Sequence, residues 1–207
     1  MILVIREIAN FCSLKDILNV ILVCKEIYKK MKNYKIDLVK LNYWNVNFER
    51  IIDHKYFNIT GIYMRLFTMD NIAILGRMLS LKSIKLEISL SGLSKTEFLS
   101  KFSKLEHLSL IDTTIDNIEG LPPSLTYLDI TSSRLENIEP ISKLVNLKTL
   151  VLNYNYIVSL KPLQNLQNLE VLHLISNNIT SLEYIKDLKN IKNLEVEQDN
   201  LEIYINF

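Results

Sequence analysis

The sequence predicts an α/β repeat solenoid, in which short parallel strands and return segments stack one coil upon the next. The pattern L-x-x-L-x-L recurs with starts at 125, 147, 169 and 191, so three successive steps are each 22 residues long. Apolar residues alternate within the pattern, which is the spacing of a strand with one buried face. Leu and Ile supply 63 of the 207 residues, enough for a continuous core. One coil cannot bury its apolar face alone, so the coils are expected to stack.

Earlier copies extend the repeat toward the N-terminus. Units start at Leu105, Leu81 and Ile59, with lengths of 20, 24 and 22 residues. We expect Ile36 to begin a further, degenerate unit. The sheet is therefore predicted to start well before the most regular part of the chain.

An asparagine follows the strand in the two fullest units, at Asn155 and Asn177. Because an amide both donates and accepts hydrogen bonds, we expect these side chains to form a structural ladder that binds backbone groups inside the stack. Thr113 and Ser133 keep only a hydroxyl at the same position, which predicts a weaker ladder in the earlier coils.

These units resemble the leucine-rich repeat family, in particular its 22-residue subclass. The resemblance covers 81–201 well and 59–80 weakly. It implies a right-handed, curved stack with a parallel sheet on its concave face.

The first residues of the chain differ in pattern. Residues 3–32 show helical periodicity, with Ser13 placed to cap a helix and Leu14, Ile17 and Leu18 at the i, i+3 and i+4 spacing of one apolar face. The order F-x-S-L-K-D-I-L-N-V and then V-C-K-x-I-Y resembles the F-box, a three-helix module that binds the adaptor subunit of SCF-type ubiquitin ligases. That family opens with Leu-Pro, whereas this chain has Leu-Val in that place.

The F-box resemblance implies that an apolar face of this segment contacts the adaptor. The residues implied are Ile8, Leu14, Ile17, Leu18 and Val23. The alternative is that the helices only cap the solenoid, since the ends of a repeat stack need cover. We accordingly divide the chain into an F-box-like segment at 1–35, an aromatic-rich junction or degenerate first repeat at 36–58, and leucine-rich repeats at 59–207.

The composition and the motifs of the sequence indicate a protein that does not catalyse a reaction. The formal net charge of +1 offers no basic field for nucleic acid or an anionic membrane. No G-x-G-x-x-G or G-x-x-x-x-G-K motif is present, and the three histidines have no metal-binding spacing. We therefore expect no enzyme activity, no cofactor and no metal.

The cysteine content and the hydropathy of the sequence indicate where in the cell the protein is found. The two cysteines, Cys12 and Cys24, cannot form a disulfide framework, and no run approaches 18 apolar residues. We expect an intracellular protein that is cytoplasmic, with the nucleus as a further compartment.

The third, fifth and seventh residues of each unit are expected on the concave side, where a partner would bind. The candidate residues are Tyr127, Asp129, Val151, Asn153, Val171, His173, Ile175 and Glu195. An aromatic and aliphatic centre with a charged rim is typical of protein-binding hot spots. The alternative is that β-branched residues merely suit strands. If this is a site, its acidic end predicts a basic partner surface.

Two functions follow from these patterns. The first is a substrate receptor of an SCF-type ubiquitin ligase, which binds the adaptor through its N-terminal helices and a target protein through its concave face. The second is an interaction scaffold with no link to ubiquitin.

Overall fold

The computed structural model describes residues 35–36, 39–41, 58–67, 75–89 and 95–197. The predicted F-box-like helices, with Ile8, Leu14, Ile17, Leu18 and Val23, lie outside the described residues, as does most of the 36–58 junction.

Most strands of the described chain belong to one parallel sheet. The strands are β1 (Lys35–Ile36), β2 (Val39–Leu41), β3 (Asn58–Ile59), β4 (Gly61–Phe67), β5 (Ser83–Ser89), β6 (His107–Ile111), β7 (Tyr127–Thr131), β8 (Thr149–Val151), β9 (Val171–His173) and β10 (Asn193–Glu195). Eight of them form a sheet in the order β10-β9-β8-β7-β6-β5-β4-β2, and β1 pairs separately with β3. Apart from β2, each strand lies beside the strand of the preceding unit, as stacking of coils requires.

The register of the sheet follows the repeat. The fourth residue of each unit pairs with the fourth residue of the next, so Leu108 lies opposite Leu128, and Leu150 lies opposite both Leu128 and Leu172. This register and the parallel sheet confirm the predicted repeat solenoid. Val39 of β2 lies opposite Ile62 of β4 in the same register, so the degenerate unit at Ile36 supplies a strand.

The core runs as one body between the sheet and the return segments. The fourth and sixth residues of the repeat units point into it, and Leu108, Leu110, Leu128 and Ile130 are completely buried. The return segments supply the opposite wall, for example Leu163. Burial of apolar surface contributes roughly 25 cal/mol per Å², so this row of side chains is the main stabilising element.

The return segments differ from the predicted α/β architecture. Within 95–197 the helical segments are 3₁₀ helices at Glu97–Lys101, Glu139–Lys143, Lys161–Leu163 and Glu183–Ile185. A repeat of 20 to 24 residues leaves a short path back to the next strand, and the tighter 3₁₀ helix fits that path in one turn. Pro140 and Pro162 open two of these helices, where the missing N–H costs nothing.

A left-handed residue follows each of the strands β6, β7, β8 and β9. Asp112, Ser132, Tyr154 and Ser176 occupy the eighth position of their units and have φ values of 52°, 57°, 56° and 56°. A non-glycine residue in this conformation costs about 1–2 kcal/mol. The turn directs the ninth side chain into the stack, which places the ladder position inside.

A second row of asparagines lies on the outside of the solenoid. Asn146, Asn168 and Asn190 end their units, and each Nδ2 donates to a backbone carbonyl oxygen of the preceding coil at 2.7 to 3.1 Å. This row was not predicted from the sequence, although its spacing of 22 residues is visible in the repeat.

Candidate functional site

The structure brings the predicted partner-binding residues onto one side of the sheet. We call this side, made of the third, fifth and seventh positions of the units from β6 to β10, the sheet face. Asp129, Val151, His173 and Glu195 form one row across β7 to β10. Tyr127 and Val171 lie in the neighbouring row, and Asn153 and Ile175 occupy the seventh position just beyond their strands.

The middle of the sheet face is apolar. Val151, Val171 and Ile175 belong to two adjacent coils and are each partly exposed. Val151 lies opposite His173, and Val171 and Ile175 lie two positions before and after His173 in the chain, so the three apolar side chains form a patch around the imidazole ring.

Asn153 supports this patch. Its Oδ1 accepts the backbone N–H of Ile175 at 2.8 Å, which joins two coils beyond the ends of β8 and β9. From the sequence, Asn153 was predicted only as a partner-binding residue. The structure adds a positioning contact to it.

His173 is held between two side chains of β10. Its Nε2 lies 3.1 Å from Nδ2 of Asn193, and its Nδ1 lies 3.6 Å from Oε2 of Glu195. These contacts orient the imidazole ring along the acidic end of the sheet face.

Asp129 is the most buried charged residue of the sheet face, with an exposed fraction of 9%. Its Oδ2 accepts a hydrogen bond from the Ser109 hydroxyl at 3.2 Å, and its Oδ1 accepts one from the Thr131 hydroxyl at 2.6 Å. Burial raises the pKa of this carboxyl above its ordinary value, and the two hydroxyl donors and the charge of Lys85 oppose that shift only in part. No nitrogen of the described Lys, Arg or His residues forms an ion pair with it.

Tyr127 stands beside Asp129 on β7 and is supported from one side. Its ring stacks on His107 of β6, with the centroids 6.0 Å apart and the planes inclined by 27°. Burial raises the pKa of the Tyr127 hydroxyl, and the negative charge of Asp129 raises it further. The hydroxyl therefore stays protonated at neutral pH.

The earlier part of the sheet has a different charge pattern. Lys85 Nζ lies 5.2 Å from the centroid of the Tyr63 ring, and the Tyr63 hydroxyl donates a hydrogen bond to Glu87. Here the Lys85 ammonium, the Tyr63 ring and the Glu87 carboxylate interact with one another within the chain.

From β7 onward the sheet face is acidic. Its third, fifth and seventh positions are Tyr127, Asp129, Thr131, Thr149, Val151, Asn153, Val171, His173, Ile175, Asn193, Glu195 and Glu197. This set contains three carboxylates and neither lysine nor arginine. A partner that covers it meets an apolar middle between acidic sides.

The asparagine ladder lies behind the sheet face, within the stack. Asn155 Oδ1 accepts the backbone N–H groups of Ser133 and Leu135 at 3.2 and 3.0 Å, and Nδ2 donates to the carbonyl oxygen of Ile130 at 2.7 Å. Asn177 makes the equivalent contacts one coil later, through the N–H of Ile157 at 3.1 Å and other backbone groups. Both side chains therefore act on the fold and are not available to a ligand.

The hydroxyls at the earlier ladder positions bind each other. The oxygens of Thr113 and Ser133 are 2.7 Å apart and both side chains are buried. A hydroxyl is too short to reach several backbone groups as an amide does.

Among the described residues, no group of three or more His, Cys, Asp and Glu side chains is arranged to hold a metal ion. In the same part of the chain, no helix has the length and apolarity needed to cross a bilayer.

Comparison with known proteins shows the kind of repeat. Residues 123–165 match the family model described as leucine-rich repeats (two copies). Residues 123–165 therefore have the sequence pattern of leucine-rich repeats. No curated protein sequence matches the chain significantly.

Solved structures share the fold. An internalin C2 from Listeria monocytogenes is 22% identical with a TM-score of 0.61, and the match covers 80% of this chain and 78% of that one. A second internalin of that species is 21% identical with a TM-score of 0.60, covering 79% and 48%. A Leptospira interrogans LRR protein is 18% identical with a TM-score of 0.56, covering 82% and 50%. This chain thus spans about half the length of the last two.

Proposed function

We propose that this chain is a non-enzymatic, protein-binding repeat protein and that its sheet face is the binding surface. The observation that carries the proposal is the apolar patch of Val151, Val171 and Ile175, flanked by carboxylates with no lysine or arginine among them. Repeat solenoids commonly use the extended surface of their sheet for binding. The partner surface that fits is apolar at its centre and basic at its edge.

The rigidity of the face supports this role. Its side chains are borne by hydrogen-bonded parallel strands, and Asn153 and His173 are held by neighbouring coils. A surface that is ordered before binding loses less conformational entropy when a partner docks.

Site-specific photo-crosslinking in cells that express the chain tests the proposal. We place a photoreactive phenylalanine at Val171, or at Val158 as a control, which is 57% exposed and lies off the sheet face. We expect one protein to crosslink from 171 and not from 158. The purified partner should then lose at least about tenfold in affinity for Val171→Lys and none for Val158→Lys. A partner whose binding ignores Val171→Lys would contradict the sheet face as its site.

A more specific role rests on the sequence of residues 1–35. Their resemblance to the F-box supports a substrate receptor of an SCF-type ubiquitin ligase, in which these residues bind the adaptor and the sheet face binds the target. The alternative is an interaction scaffold whose N-terminal helices cap the repeats. The ligase role requires an intracellular location, which the low cysteine content of the sequence supports.

Adaptor binding separates the two roles. We expect the purified full chain to capture the SCF adaptor, and Leu18→Asp to abolish capture because it puts a charge on the apolar face of the helix predicted from the sequence. Asn19→Asp adds the same charge on the predicted polar face and should have no effect. Failure of a folded chain to bind the adaptor would favour the scaffold.

A further inference from the structure

The contacts of Tyr63 show how this sheet accommodates a cation. The ammonium of Lys85 lies over the Tyr63 ring, whose hydroxyl binds Glu87 on the same strand as Lys85. The face of an aromatic ring attracts a cation through its quadrupole, and a nearby carboxylate supplies the opposite charge. These three groups form a complete set on β4 and β5.

Tyr127 and Asp129 repeat the ring and the carboxylate without the cation. They are two residues apart on β7, so both side chains lie on the same side of the sheet. His107 covers one side of the Tyr127 ring, and the residue opposite Tyr127 on β8 is Thr149, which is short and neutral. Lys85 lies two strands away from Asp129 and makes no ion pair with it.

The burial of Asp129 makes the missing cation significant. A carboxylate removed from water costs free energy unless a counter-charge accompanies it. The hydroxyls of Ser109 and Thr131 and the backbone N–H of Thr131 donate to it, and the charge of Lys85 acts on it without an ion pair. A carboxylate can accept about four hydrogen bonds, so an ammonium or guanidinium group can still bind.

We infer that Tyr127 and Asp129 form a seat for a single lysine or arginine side chain of a protein partner. The cation lies against the open side of the Tyr127 ring, above Thr149, and its charge is matched by Asp129. The apolar stem of the same side chain packs toward Val151. This inference rests on the proposed function and adds to it the residue type that the partner must present.

Peptide selection against the full chain tests the seat. Random peptides displayed on phage are selected on the wild-type protein, and those that lose binding to Val171→Lys are kept as sheet-face peptides. We expect these peptides to share one basic residue. Replacing that residue by citrulline for arginine, or norleucine for lysine, should weaken binding by about 10- to 100-fold.

A double-mutant cycle links the basic residue to Asp129. Asp129→Asn should weaken binding of the original basic peptide by the same factor. It should weaken binding of the neutral peptide little further, because the two changes remove the same interaction. Tyr127→Leu should cost a smaller factor. Asp187→Asn, an exposed acid on the return side, is the control for net charge and should change nothing.

The outcomes distinguish the seat from the proposed function. Sheet-face peptides that need no basic residue, or that bind Asp129→Asn as well as wild type, would overturn the seat and leave the sheet face as a binding surface. If no selected peptide is sensitive to Val171→Lys, both proposals fail. Thermal unfolding of each variant shows whether it is folded.

Discussion

The side-chain amide of Asn155 donates a 2.7 Å hydrogen bond to the backbone carbonyl oxygen of Ile130, which precedes it by 25 residues. One coil of the solenoid thereby closes the turn of the coil before it. Two further backbone groups of that turn, the N–H groups of Ser133 and Leu135, also depend on the same side chain. A single residue thus couples two repeats.

Replacing Asn155 by alanine should lower the free energy of unfolding by about 2–4 kcal/mol, because several buried backbone groups lose their partners. Asn177→Ala should cost less, since its Oδ1 accepts one N–H where that of Asn155 accepts two. Asn146→Ala removes one exposed hydrogen bond and should cost about 1 kcal/mol or less. Urea unfolding followed by circular dichroism measures all three. Equal losses of unfolding free energy for Asn155→Ala and Asn146→Ala would contradict the role of the inner ladder.

Gly120 is required where two coils approach each other. Its φ is +81°, and a Cβ at this position would lie 2.9 Å from the Cα of Glu97. Gly120→Ala should therefore destabilise the fold by about 2 kcal/mol or more, through backbone strain and overlap. Glu119→Ala changes an adjacent exposed side chain and should stay within about 0.5 kcal/mol. Thermal melts compare the two variants. An unchanged melting temperature for Gly120→Ala would show that the backbone here can move to accommodate a Cβ.

Left-handed residues at the eighth position offer a way to stabilise the chain. Ser132 has a φ of 57°, so Ser132→Gly should raise the free energy of unfolding by about 0.5–1 kcal/mol after the added entropy of the unfolded chain is counted. Ser103 is exposed and lies outside the positive-φ set. Ser103→Gly should accordingly lower stability by about 0.5–1 kcal/mol. Chemical unfolding of both variants checks the difference in sign.

Asp129→Asn should stabilise the free protein at neutral pH. Because burial raises the folded-state pKa of Asp129 above the ordinary value of 3.8, the ionised carboxylate disfavours folding. This penalty is absent below the unfolded pKa and is complete once the pH exceeds the raised folded pKa. The advantage of Asp129→Asn over wild type should therefore be present at pH 7 and shrink as the pH falls toward about 3.

Unfolding curves at both pH values measure that difference, with Asp187→Asn as the exposed control. An advantage that is the same at both pH values would point to packing and not to charge. Functional residues are expected to lower the stability of the fold while they strengthen binding.

Much of the architecture was predictable because each unit carries its own pattern. The alternation around Leu128 and Leu150 defines which side of each strand is buried, and a one-residue slip would expose every leucine. The positions of the sheet-face residues followed from the same alternation. The ladder contacts of Asn155 were also expected from the chemistry of an amide at a turn.

Only the tertiary structure determines the burial, the charge environment and the hydrogen bonds of these positions. Asp129 and Val151 occupy equivalent places in their repeats, yet one is nearly buried between hydroxyls and the other is part of an open patch. The stacking of Tyr127 on His107, and the outer row that includes Asn168, likewise join residues 20 or more positions apart. Sequence periodicity specifies which way a side chain points, because that is a property of one coil. Its burial, charge environment and hydrogen bonds are properties of several coils packed together, and these exist only after folding.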